Sequence, residues 1–373
     1  MHPLHSAFVA QPETEIQGGR HVCGQRGTRL RWKKLGVGLA GLLLFVLALE
    51  LMKEGARGLA PLLRGHLEIT NAADSMGVGW LMAYLILSGS PAAVAAVALL
   101  SADALSSLQA FTMIAGSRLG ACLVVLLVGL IYALRGHEQR TALTAGVLSL
   151  LLTGSVQLVA LPIGLLILSL GWLDSLSIPA LERLAAIVNR GLEPLIGPLA
   201  AFIPGWVLFV AGVGLATLSF RLFDRALPQL RLGRTNFGRV SALIYRPEAM
   251  FLLGLAVTLL TMSVSISVGL LVPLSARGYM RRENIIPYIL GANISTLADT
   301  LVAAALLGDP RAVTVVATHM VCAALVSLLV VLLAYRPYER AVSNALTGII
   351  RRRRNFALFL GVIFVVPVVL VLL

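Results

Sequence analysis

Nine apolar runs, set apart by short polar or basic stretches, constrain this chain more than any other feature. They cover Leu35 to Met52, Gly77 to Leu100, Ala110 to Leu134, Thr141 to Leu170, Leu195 to Phe220, Met250 to Leu274, Ile285 to Leu307, Ala312 to Tyr335 and Phe356 to Leu373. About 20 helical residues at 1.5 Å each cross a hydrocarbon core of about 30 Å, so each run spans a bilayer or nearly does. Inside that core no water satisfies the backbone, which leaves helices as the form for runs of this length. The sequence therefore predicts an all-α integral membrane protein. With 58% hydrophobic and 13% charged residues, an ordinary water-soluble core is excluded.

The net charge of +13 does not point to nucleic acid, because the cations stand in short segments flanking the apolar runs. That distribution is the positive-inside pattern of a multi-pass protein of the cytoplasmic membrane. A basic tail, residues 1–34, is predicted to be cytoplasmic. The run after it lacks a small-residue cleavage site and reads as an uncleaved first span. The basic stretch Arg221 to Arg246 and the cluster Arg351 to Arg354 are placed inside as well. Between them, residues 171–194 are nearly neutral and amphipathic through Leu181, Leu184 and Ile187, which predicts an external interfacial helix. The domain organisation is then a first membrane repeat over 35–170, that external linker, a second repeat over 195–335, and a basic loop with a final span over 336–373. Cys23, Cys122 and Cys322 have neither disulfide nor zinc spacing. With no phosphate-binding glycine loop and no nucleophile beside a base, an enzyme is not expected.

The runs Gly77 to Leu100 and Met250 to Leu274 carry Ser, Gly and Pro near their middles. A freed backbone group in lipid costs several kcal/mol, so such breaks persist where they are buried in protein or line a cavity. Both runs are read as re-entrant hairpin arms. Gly116-Ser-Arg-Leu-Gly-Ala121 starts 28 residues after Ser88, and Gly291-Ala-Asn-Ile-Ser-Thr296 starts 29 residues after Met262. That agreement predicts an internal repeat, and the placement of the basic loops makes the repeats inverted, with a site at their midplane interface.

On these motifs the chain resembles the type II sodium-dependent phosphate cotransporters, whose repeats each carry Gln-Ser-Ser-Ser at a hairpin and Gly-Ala-Asn-Ile-Gly-Thr-Thr on the following arm. Ser263, Ser265 and Ile266 to Leu274 match the serine motif and its continuation; Gly291 to Ile294 and Thr296 match the asparagine motif. Phe45 to Leu59 resembles the family's entry helix. The resemblance implies inward symport of inorganic phosphate with sodium as coupling ion, no resident cofactor, and Ser263, Ser265, Asn293 and Thr296 as the best-preserved site. Ser88 and Met262 stand at the motif glutamines, Gly89, Pro91 and Val264 replace serines, and Arg118 replaces the first-half asparagine. Methionine offers only a weak sulfur acceptor where glutamine offers a donor and an acceptor. A different small anion, or a membrane scaffold or sensor that does not transport, is the alternative.

Hydroxyls and freed carbonyls suit sodium, and half-helix N-termini suit an anion. Ser263, Ser265, Ser267 and Thr296 are the candidate second-half contacts, with Ser88, Ser90 and Ser117 as counterparts; back-bonding of each serine to its own helix is the competing reading. Arg118 and Asp299 fall deep in apolar arms, where a charge costs at least about 2.5 kcal/mol, so both are expected to face protein and to pair or share an ion. That pair serves either to lock the repeats or to bind ions. Asp103 reads as a loop residue and His319 as an interhelical histidine.

Overall fold

The structure is a computed structural model. It describes residues 23–65, 71–134, 139–173, 179–226, 246–262, 267, 268, 271 and 282–372. Every element among these is helical. Among the described residues seven helical stretches are long and apolar enough to cross a membrane, six of them single helices and the seventh, Glu283–Leu307, made of two successive ones, and three shorter apolar helices accompany them.

The first half opens with α1 (Cys23–Gly65), which takes residues 23–34 of the basic tail into its helix, followed by α2 (Ala72–Ile86), α3 (Gly89–Ser101), α4 (Ser107–Leu134) and α5 (Gln139–Leu170). A capping box starts α2: Asn71 Oδ1 accepts from the amides of Ala73 at 2.8 Å and Asp74 at 2.9 Å, and the Asp74 carboxylate accepts from the Asn71 amide at 3.3 Å. The helix stops where Leu87 turns left-handed, with φ 55 and ψ 35, and Ser88 is extended. The predicted break within Gly77 to Leu100 is therefore present. Beyond it the alanine-rich α3 is buried from Gly89 to Leu100.

A Cβ at Gly79 would strike the Met113 carbonyl, one at Gly116 the Met76 carbonyl, and one at Gly120 the Trp80 carbonyl and the Ala83 side chain. From Gly116 beside Met76 and Trp80 to Gly120 beside Trp80 and Ala83, positions along α4 rise with positions along α2, so the two helices run the same way, with α3 between them in the chain. The second half repeats this crossing. A Cβ at Gly254 on α8 (Pro247–Thr261) would strike the Tyr288 carbonyl, and one at Gly291 on α9 (Arg282–Ser295) the Phe251 carbonyl. Each of these four residues lies 175 positions after its first-half counterpart, as do both ends of α8 relative to α2. The left-handed Met262 (φ 48) ends α8 as Leu87 ends α2. The counterpart of Met262 is therefore Leu87, one residue before Ser88. This register corrects the motif alignment: in sequence Leu87-Ser-Gly-Ser90 corresponds to Met262-Ser-Val-Ser265, and Pro91 corresponds to Ile266 rather than to a serine.

The apolar run Ile285 to Leu307 is two helices. It breaks at Thr296 and Leu297 into α9 and α10 (Ala298–Leu307), which Gly308 closes at φ 73 before α11 (Pro310–Leu333). The run Leu195 to Phe220 also divides, because Pro204 follows the end of α6 (Pro179–Phe202) and precedes α7 (Gly205–Ala226). The predicted linker helix hence extends to Phe202, and the span is α7. Residues 335–351, predicted as part of a basic loop, form the amphipathic α12 (Tyr335–Arg351), ahead of α13 (Arg353–Leu372). The initial helices of the two halves pack antiparallel: Gly38 approaches Ala226, Gly41 approaches Phe223, and Gly58 approaches Gly205. Phe45 meets Phe220 edge-on at 5.4 Å, and the Ser219 hydroxyl donates to the Gly41 carbonyl at 2.8 Å.

α3 and α10 share one buried cluster, with Ala93 to Leu100 against Ala303 to Leu307. At the end of the bundle where these helices finish, Arg311 Nη1 contacts Asp103 Oδ1 at 2.8 Å, joining the α3–α4 turn to the start of α11.

Candidate functional site

The break after α2, the middle of α4 and the α9–α10 break converge on Arg118. Its side chain is buried, 5% exposed. Nη1 donates to Thr296 Oγ1 at 2.9 Å. Nη2 lies against the first turn of α3, so close that a Cβ at Gly89 would stand 2.7 Å from it, with the Ser117 carbonyl oxygen at 2.9 Å. Gly89 thus leaves the room that the Arg118 guanidinium fills. Nε of Arg118 has no hydrogen-bond partner.

Asp299, in the first turn of α10 and 4% exposed, is the counter-charge. Its Oδ1 accepts from the amide and the hydroxyl of Thr300. Oδ2 accepts no hydrogen bond, although Ser90 lies beside the carboxylate. The expected proximity of Arg118 and Asp299 holds electrostatically: each feels the other's charge. They do not touch as an ion pair within 4.0 Å, because the guanidinium reaches Thr296 instead.

Asn293 occupies the place of Arg118 in the second half, 175 residues on. It crosses to the first half and both donates to and accepts from Thr153 Oγ1 of α5, at 3.1 and 3.2 Å. The equivalent residues therefore each reach into the opposite half, Arg118 to Thr296 and Asn293 to Thr153. Between them lies a small space of about 10 Å³ lined by Arg118, Thr153, Val156, Gln157, Asn293 and Ala323. That is on the order of one water molecule. Gln157 Nε2 is 2.9 Å from His319 Nε2, and its Oε1 is unpartnered. The amide of Gln157 and the imidazole of His319 thus form one hydrogen bond between α5 and α11. His319 stacks obliquely on Phe111 at 5.0 Å.

Of the predicted site residues, the structure brings together Ser90, Arg118, Asn293, Thr296 and Asp299. Ser88 is the extended N-cap of α3 and makes no side-chain cap bond. Ser117 donates back to the Ile114 carbonyl at 2.7 Å, the structural alternative for such hydroxyls. Ser267 belongs to a separate buried chain, Thr258 to Ser267 at 2.6 Å and Ser267 to Tyr288 at 2.8 Å. Ser263 and Ser265 lie outside the described residues. Sequence reasoning missed Thr153 and Gln157, whose only signal is polarity at four-residue spacing inside the apolar run Thr141 to Leu170.

Chemically, one guanidinium lies beside the N-terminal turn of α3, whose N-cap Ser88 makes no side-chain bond, and near that of α10, where the Asp299 carboxylate accepts from the Thr300 amide. Helix N-termini carry roughly half a positive charge each, a setting compatible with negative charge. No family model, no curated protein and no solved structure matches this chain.

Proposed function

We propose that the chain is a secondary transporter of a small anion, built from inverted repeats whose α2–α3 turn and second-half counterpart are re-entrant hairpins. The observation that carries this reading is the buried Arg118 near two half-helix N-termini, with Asp299 as its counter-charge among the described residues. Half-helix ends at a repeat interface are how transporter folds present backbone N–H groups to anions. Inversion is supported by direction. The 28 residues of α4 carry the chain about 42 Å from the Asp103 end to Leu134. Asp309, 175 positions after Leu134, stays at the Asp103 end through Arg311. The orientation is supported by charge, since Lys34 and Arg225 stand at the same end of the antiparallel α1–α7 pair, where Gly38 approaches Ala226, and the positive-inside rule assigns a basic end to the cytoplasm.

Inorganic phosphate with sodium as coupling ion is the substrate pair that the family resemblance favours. Uptake of labelled phosphate into proteoliposomes under an inward sodium gradient, with sulfate as competitor, tests it. Sodium-dependent accumulation supports the full reading, accumulation of sulfate alone moves the substrate, and no movement under any cation gradient ends the transport reading.

A membrane scaffold or sensor is the second reading. One observation favours it: the site leaves about 10 Å³ and Asp299 already supplies negative charge, so Arg118 and Asp299 can lock the halves together.

A further inference from the structure

The corner between α12 and α13 lies apart from the anion site. α12 ends at Arg351, Arg352 is extended (φ −116, ψ 130), and α13 begins at Arg353. Four consecutive arginines, Arg351 to Arg354, are all exposed where an amphipathic helix meets a membrane span. The corner is held in place. Asn355 Nδ2 donates to the Gly348 carbonyl at 2.7 Å, α12 buries Val342 and Leu346, and the Tyr338 hydroxyl lies 2.6 Å from that of Ser155.

Directly beyond the arginines, the outer face of α13 carries a shallow, open groove whose lining comes from this helix alone. Arg354, Ala357, Leu358, Gly361, Val362 and Val365 line it. A Cβ at Gly361 would meet nothing within 4 Å, so the glycine leaves the groove open rather than serving a helix contact. An apolar trough with a cation at one end has the polarity of a lipid, its chain along Leu358 and Val362 and its phosphate at Arg354. A zwitterionic headgroup would bring its own cation towards four arginines, and after Glu339 the chain holds no acidic residue to receive it. An anionic headgroup meets no such repulsion.

The geometry points to a binding site for an anionic phospholipid at this corner, with the headgroup on Arg351 to Arg354 and one acyl chain in the α13 groove. The site rests on α13 spanning the membrane and is independent of what the protein transports.

The purified full-length chain, exchanged into detergent with dioleoyl phosphatidylglycerol or dioleoyl phosphatidylcholine, is read by native mass spectrometry and thermal unfolding. The wild type is expected to retain phosphatidylglycerol preferentially and to unfold at a higher temperature with it, while inorganic phosphate produces no shift. Neutralising arginines one at a time to Gln is expected to weaken retention about fivefold for each charge. Gly361→Phe, which fills the groove without touching the charges, is expected to weaken retention while leaving the lipid-free unfolding temperature unchanged. Equal retention of the two lipids by the wild type overturns the proposal, as does a preference that survives neutralisation of all four arginines. A dimer that Gly361→Phe disperses would show a second copy of the chain in the groove and overturn it too.

Discussion

The arms at Arg118 and Asn293 occupy equivalent places in their halves and solve the same burial problem differently. α4 runs unbroken past Arg118, and its guanidinium bonds to the other half through Thr296. α9 breaks three residues after Asn293, whose neutral amide bonds to Thr153. An uncharged amide needs one hydroxyl partner and no counter-ion. A buried guanidinium needs a carboxylate in range and room, and Asp299 and Gly89 provide those. Arg118, Gly89 and Asp299 therefore act as one unit of cation, space and counter-charge.

The sharpest way to break the comparison is to delete each polar group in turn. Arg118→Leu leaves Asp299 buried without its cation and is expected to cost at least about 3 kcal/mol in chemical unfolding from detergent. Asn293→Leu removes a neutral pair and should cost only about 1 to 2 kcal/mol. Equal losses would show that Arg118 and Asp299 are uncoupled, and the double variant Arg118→Leu, Asp299→Leu should recover part of the deficit.

Next in size are the helix crossings, where the halves should behave alike. Gly79→Ala and Gly254→Ala each force a methyl group against a carbonyl of the neighbouring helix, with an expected cost of about 2 to 3 kcal/mol apiece. A thermal-unfolding deficit confined to one of them would dissolve the 175-residue equivalence. Leu87→Gly and Met262→Gly should each stabilise by up to about 1 kcal/mol, because a non-glycine side chain in the left-handed region is disfavoured by about 1 to 2 kcal/mol. The smallest effect is expected at Asp103→Asn. Asparagine tolerates the φ of 57 at that position, so only the exposed pair with Arg311 is lost, below about 1 kcal/mol and vanishing in high salt.

The sequence made the spans legible because hydrophobic length is a direct physical requirement of a bilayer, and it made Arg118 and Asp299 legible because a charge in such a run demands a partner. It misled on register. Ser88 looks like the start of a hydroxyl motif, yet the turn is set by the residue that adopts left-handed geometry, Leu87, and nothing in a leucine side chain announces that. The division of Ile285 to Leu307 was equally hidden, since Thr296 and Leu297 contain no proline or glycine to mark a helix end. Thr153 and Gln157 escaped notice because isolated polar residues in an apolar helix bond back to their own backbone as readily as across an interface.

Where α2 crosses α4 at Gly79 and Gly116, main chain rests on main chain with no side chain between. A joint of that kind has no slack. The tip at Leu87 and Ser88 and the guanidinium of Arg118 are carried by one stiff strut, so displacing either would drag the other.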